Sequence, residues 1–296
     1  MSKVNTSVIP PRDCRETATS DAFEQTFERL SSRYPSGSRT STFPHIVASP
    51  VHYERDFAYP LLVWLHDSGK TESEVFEVMP KISTRNYVAV APRGLSSQKK
   101  RVVRSAVNGK IVDEKCWIEP IYDWPETDEA VSEAENLVFD SIAEAQNKYR
   151  LNSRRVFILG RGSGGAMALR VAMRNPREFA GVVCIDGALP TGDSAPFRNW
   201  RHLRDLPLLL TTSDVPSASV PKLDKDALRL YHTAGLTVLV RQYNEERRSP
   251  GGRQDRMDAI LADVNRWIME RATNPQAPVS ELLPRRSTND ARQSEV

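Results

Sequence analysis

The residues best suited to chemistry stand together in Gly160-Arg161-Gly162-Ser163-Gly164-Gly165, directly after the apolar run Val156-Phe157-Ile158-Leu159. A strand-to-helix turn this dense in glycine supports three chemistries. In a G-x-S-x-G nucleophile elbow a serine sits on the strained tip, and small flanking residues keep the backbone clear of its neighbours. Two registers are open. With Ser163 as nucleophile, Arg161 falls where the elbow needs a small side chain, and only Gly165 fits. With Gly160 and Gly164 as the flanking glycines the tip is Gly162, which has an elbow's shape and no hydroxyl. The second chemistry is dinucleotide binding: Gly160, Gly162 and Gly165 satisfy G-x-G-x-x-G after a strand, and Asp186 ends the next apolar run, where it would meet a ribose. Against this, a dinucleotide fingerprint usually opens its domain, whereas two βα units precede this one. The third, a phosphate loop over Gly69-Lys70-Thr71, fails because its first glycine would be Trp64.

An elbow also needs a base within hydrogen-bond reach of its nucleophile. The five histidines are His45, His52, His66, His202 and His232, and none follows the last candidate strand. His66 lies in a loop that it is expected to order. His202, in Phe197-Arg198-Asn199-Trp200-Arg201-His202, belongs to a segment able to fold over a pocket, and His232 is a surface or packing residue of a helix. The scattered His, Asp and Glu residues show no metal-ligand spacing, and no cofactor is implied unless the dinucleotide reading holds.

These residues must be positioned by an alternation of apolar runs and amphipathic stretches, the pattern of a mostly parallel sheet covered on both faces. The expected strands are 59–66, 87–91, 156–160, 181–185, 206–211 and 236–242, with Ile46 to Ser49 as an antiparallel edge. A helix over 127–149 follows Pro125 and carries the stripe Val131, Ala134, Val138, Ile142 and Ala145. The last helix presents Met257, Ile260, Leu261, Val264, Trp267 and Ile268 at i, i+3, i+4, i+7 spacing. Residues 101–118 break the alternation: Asn108-Gly109 between β-prone stretches predicts a short hairpin excursion above the sheet's C-terminal edge. Open α/β sheets bind ligands at that edge, so Trp117, Tyr122 and Trp124 are expected either to line a pocket or to anchor a loop.

The stretch Leu159 to Pro190, with Gly162-Ser163-Gly164-Gly165-Ala166-Met167-Ala168-Leu169 and then Phe179-Ala180-Gly181-Val182-Val183, resembles the phospholipase/carboxylesterase, dienelactone-hydrolase-like branch of the α/β-hydrolases. Leu65-His66-Asp67-Ser68-Gly69 is similar to that branch's L-H-G-x-G oxyanion loop, with Asp67 in place of the first glycine. The likeness runs over about residues 43 to 272. It implies an α/β-hydrolase core, backbone oxyanion donors at Ser68 and Ser163, and Gly162 at the nucleophile position. The acid position falls at Asp214, or at Val215 without a gap, and the histidine position falls in Tyr243 to Gly252, which contains no histidine. What the resemblance implies is therefore an esterase-like chain with a dismantled triad and a small-molecule pocket for an ester or acyl compound. An ester hydrolase using Ser163 and a dinucleotide-binding protein remain the alternatives.

Composition narrows the setting. The chain has 296 residues, 39% hydrophobic and 27% charged, which suits one domain with a sizeable core. No apolar run approaches the roughly 18 residues of a bilayer span, and the first twenty residues lack the apolar core of a secretory signal. The net charge is +3 with the basic residues scattered, which argues against a nucleic-acid partner. Cys14, Cys116 and Cys184 form no C-x-x-C pair, and a cytoplasmic location is expected. Residues 1–17 and 273–296 read as disordered tails flanking a domain over 18–272.

Overall fold

The computed structural model describes residues 43–107, 110–190, 200–213, 224–243 and 253–273. The expected tails apart from Thr273, which ends the last helix, the Asn108-Gly109 turn, Asp214, the segment 244–252 and the Trp117 side chain lie outside the described residues. In chain order the elements are β1 (His45–Ala48), β2 (Tyr59–Leu65), α1 (Glu74–Ile82), β3 (Val88–Pro92), β4 (Leu95–Val107), β5 (Lys110–Asp123), α2 (Asp128–Lys148), β6 (Leu151–Arg161), α3 (Ser163–Arg174), β7 (Gly181–Ile185), α4 (Trp200–Leu203), β8 (Leu208–Ser213), α5 (Lys225–Thr233), β9 (Val238–Tyr243) and α6 (Arg253–Thr273).

Seven strands form one sheet in the order β1-β3-β2-β6-β7-β8-β9. Only β1 runs antiparallel, pairing His45 with Pro92, as the edge-strand expectation required. The interior strands β2, β3 and β7 are buried along their whole length, which is why they read as unbroken apolar runs. Alternate residues feed two cores. Leu61, Val63 and Leu65 face the layer of α2, α3 and α5, whereas Leu62 and Trp64 face α1 and α6. Both expected helix stripes are buried, apart from Met257, which packs on the rim. Helix α2 begins where Thr127 accepts the Ala130 N–H with its hydroxyl, an N-cap that supports the acidic first turn. Among the described residues no helix is long and apolar enough to cross a membrane.

Four elements differ from expectation in their boundaries. Leu206 and Leu236 are buried, but their N–H groups bond back to Leu203 and Tyr231, so they fill the core from turns and β8 and β9 start two residues later. Strand β6 begins at Leu151, paired with Tyr59 across an irregularity in β2. The hairpin is longer than 101–118: β4 and β5 pair with each other from Leu95–Asp123 to Val107–Lys110, as a separate two-stranded ribbon. A strand pair outside the core needs no apolar alternation, so the polar Ser96-Ser97-Gln98 gave no sign of it.

Candidate functional site

The end of β6 and the start of α3 meet at Gly162, whose backbone lies at φ +53° and ψ −121°. An L side chain is strained there, while glycine is not. The N–H of Gly162 donates to the Ile185 carbonyl at 2.9 Å, tying the turn to β7. A Cβ on Gly164 would collide with the carbonyl oxygens of Leu65 and His66, and one on Gly160 would lie 2.7 Å from the Gly165 nitrogen. Helix α3 thus crosses the strand ends so closely that 160 and 164 accept only glycine. Of the two registers, the backbone adopts the one with Gly162 at the tip.

The space above that tip is filled by a residue of another loop. A Cβ built on Gly162 would collide with Asp67 Oδ1 and lie 2.7 Å from Asp67 Cγ. The Asp67 carboxylate accepts the Ser68 N–H at 2.8 Å on Oδ1, while Oδ2 lies 3.7 Å from Arg161 Nε. The main chain of Asp67 is fixed separately. Its N–H donates to Glu74 Oε2 at 3.1 Å, and its carbonyl accepts from the Lys70 N–H at 3.0 Å. Glu74 also accepts Trp64 Nε1–H at 3.1 Å and is buried; burial raises its pKa, and the two donors hold the shift back.

His66 is fully buried beneath this loop. Its Nε2 accepts the Gly94 N–H at 2.9 Å, so the proton sits on Nδ1, which donates to the Asp67 carbonyl at 2.8 Å. Burial lowers its pKa, outweighing that hydrogen bond and the nearby carboxylates of Glu72, Asp123 and Asp67. Both ring nitrogens are committed to backbone groups. Trp124 packs against the imidazole with ring centroids 5.4 Å apart and donates its Nε1–H to the His66 carbonyl at 3.0 Å. Its side chain is 2% exposed. Tyr122 is half-buried under the Arg93 guanidinium, 4.8 Å from the ring centroid, and Arg93 is paired with Glu72.

Asp123, where the ribbon rejoins the domain, links the two loops. Its Oδ1 accepts the Ser163 hydroxyl at 2.6 Å and the Trp124 N–H at 2.7 Å, and its Oδ2 accepts the Ser68 hydroxyl at 2.9 Å. Sequence reasoning missed this residue, since nothing in local spacing ties it to a serine 40 positions later. Asp186, at the end of β7 with φ +53°, accepts from Arg256 at 2.7 Å, and its burial raises its pKa against the Arg256 charge. His202, on α4, lies 3.4 Å from Arg177 through Nδ1, and His232 is exposed. Cys184 is buried and unpaired beside the turn. Among the described residues no group of three His, Cys, Asp or Glu side chains is placed to hold a metal.

The strand-turn-helix, the loop after β2 and the sheet order together invite comparison with known proteins, and a phospholipase/carboxylesterase family model matches residues 49–215, more than half of the chain. The chain belongs to the phospholipase/carboxylesterase family. Its α/β-hydrolase fold is shared with solved structures at low identity. SOBER1 of Arabidopsis thaliana is 18% identical with a TM-score of 0.53, covering 73% of this chain and 100% of that one. YahD, solved with malic acid, is 14% identical with a TM-score of 0.52 over 78% and 100%. A Bacillus cereus carboxylesterase is 13% identical with a TM-score of 0.50 over 78% and 96%. No curated protein matches the sequence. In this chain the fold sets the Asp67 carboxylate beside Gly162, at the place where a Cβ on residue 162 would begin.

Proposed function

We propose that this chain is a non-hydrolytic member of the carboxylesterase/phospholipase family, which keeps a site for a small ester or acyl compound and does not turn it over. The observation that carries this reading is the Asp67 carboxylate seated where a side chain on Gly162 would begin. An attacking hydroxyl has neither an atom to carry it nor space to stand in. The Ser68 N–H, which the family resemblance makes an oxyanion donor, is engaged by Asp67 within the protein. The sequence places no histidine after β9, so an acid at Asp214 would have no imidazole to orient. Loss of nucleophile and base leaves only about 10³ to 10⁴-fold acceleration over water, from binding and oxyanion donors. Cys184, buried and unpaired, suits the cytoplasm, where we place the protein.

One observation favours a second reading, in which Ser163 is the nucleophile: its hydroxyl donates to Asp123 at 2.6 Å. An aspartate is by nature a far weaker base than imidazole, and this one also receives Ser68 and Trp124, as a structural clamp does. Dinucleotide binding finds less support. Asp67 puts negative charge against the turn where a pyrophosphate would lie, and Asp186 is engaged by Arg256. The test is turnover of p-nitrophenyl acetate and butyrate together with a fluorophosphonate probe. Background hydrolysis and no labelling are expected. Stoichiometric labelling of Ser163, abolished by Ser163→Ala, would overturn the proposal in favour of the second reading.

A further inference from the structure

We propose that the Asp67 side chain is an internal occupant of a carboxylate-binding site, and that Arg161 determines the preference of that site. This rests on the reading above, in which the elbow carries no nucleophile. Both oxygens of Asp67 face donors or positive charge: Oδ1 takes the Ser68 N–H, and Oδ2 faces the Arg161 guanidinium. The first turn of α3, a helix of 12 residues, begins one residue past Gly162, and its dipole adds positive potential at the same point. A carboxylate already sits in this cradle, and the chain itself supplies it.

The side chain can be removed without dismantling the cradle. The main chain of Asp67 is held by Glu74, by the His66 imidazole and by Lys70, none of which touches the carboxylate. The carboxylate is about a third exposed, so a ligand replacing it enters from solvent and not through the core. Other carboxylates near the site are engaged elsewhere. Asp123 accepts from two serine hydroxyls and the Trp124 N–H, Glu74 from Trp64 and the Asp67 N–H, and Asp186 from Arg256. Once Asp67 is gone, Arg161 keeps the 3.9 Å approach to Glu74 and the charge of Asp186, which Arg256 already engages. Its fork is then free to turn toward an external carboxylate.

The experiment titrates acetate into folded wild type, Asp67→Gly, and Asp67→Gly with Arg161→Gln, following ¹³C-acetate line width and calorimetry at low ionic strength. A tethered group competes at an effective concentration of about millimolar or more. Acetate is therefore expected to bind Asp67→Gly saturably and the wild type at least about tenfold more weakly. Adding Arg161→Gln should weaken binding by at least about tenfold. The proposal is overturned by equal binding to wild type and Asp67→Gly, by no saturable binding to folded Asp67→Gly, or by indifference to Arg161→Gln. Asp67→Ala is measured in parallel, so the test survives if the glycine variant fails to fold. Ester turnover by the wild type would sink the non-hydrolytic reading and leave the acetate comparison standing, which keeps the two failures separate.

Discussion

Replacing Gly162 by serine puts two costs on the fold that can be separated. The first is local: a residue with a Cβ at φ +53° and ψ −121° carries about 1 to 3 kcal/mol of strain. The second is a collision with Asp67, whose carboxylate must leave and surrender the Ser68 N–H. A hydrogen bond to a charged group is worth about 1.5 to 3 kcal/mol. The Asp67 carboxylate is partly hydrated, so about 1 kcal/mol is a fair charge for its displacement. Gly162→Ser should therefore lose about 2 to 4 kcal/mol in urea denaturation, whereas in an Asp67→Gly background the same change should cost only the strain. A double-mutant cycle then yields a coupling of about 1 kcal/mol, outside the roughly 0.3 to 0.5 kcal/mol scatter of independent sites. Additivity within that scatter would refute the claim that the two residues compete for one space. Esterase activity in Gly162→Ser alone would mean that a histidine we discount, His202 first, serves as base.

The remaining expectations need one measurement each. In a Gly162→Ser, Asp67→Gly background, Arg247→His should raise p-nitrophenyl acetate turnover only if Asp214 can orient the new imidazole, and Asp214→Asn should abolish the gain. His66 is held neutral, with a folded-state pKa below its unfolded value near 6.5; its contribution to stability is complete above that pH and falls as the pH drops through it. Wild type should accordingly lose more stability than His66→Gln between about pH 7.5 and 5.5, measured by denaturant midpoints. Asp123→Asn removes the charge that two hydroxyls and the Trp124 N–H meet, so a loss of about 1 to 2 kcal/mol and faster hydrogen exchange at the Trp124 amide are expected. Gly164→Ala meets backbone oxygens and should cost about 3 kcal/mol. Gly69→Ala, at φ +74° with nothing within 4 Å of its Cβ, should cost only about 1 kcal/mol; thermal melts rank the two.

Much of this architecture was legible because burial leaves a mark on residue type. Strands buried on both faces read as apolar runs, and the stripes of α2 and α6 follow helical spacing, so both were placed within a few residues. Strand ends were less legible, because Leu206 and Leu236 are as apolar as ladder residues while sitting in turns. At the site, the two altered positions were visible as residue types: aspartate at 67 and glycine at 162 each departed from a motif. That the first occupies the space opened at the second was not visible, because 95 positions separate them and only the sheet brings them together. Arg161 counted against one register through its bulk, and its charge gains a purpose only beside Asp67. Asp123 left no signal at all, since a carboxylate that bridges two serines across three loops has no local spacing to betray it.

The ribbon of β4 and β5 is a separate two-stranded sheet, and among the described residues its base is tied to the site loops. The Leu95–Asp123 pair closes it, the Tyr122 carbonyl receives the Gly69 N–H, and Asp123 reaches both serines. Farther out, the described backbone runs on as cross-strand pairs to Val107–Lys110. Length can therefore change by trimming both strands from the tip in step, and the base never registers the loss. A deletion in one strand only breaks parity: residues that faced one side of the ribbon turn to the other from that point on. Relatives of this chain should accordingly differ in ribbon length by matched increments, and a swap of the whole arm between them should succeed wherever the splice lies beyond Ser96 and Tyr122.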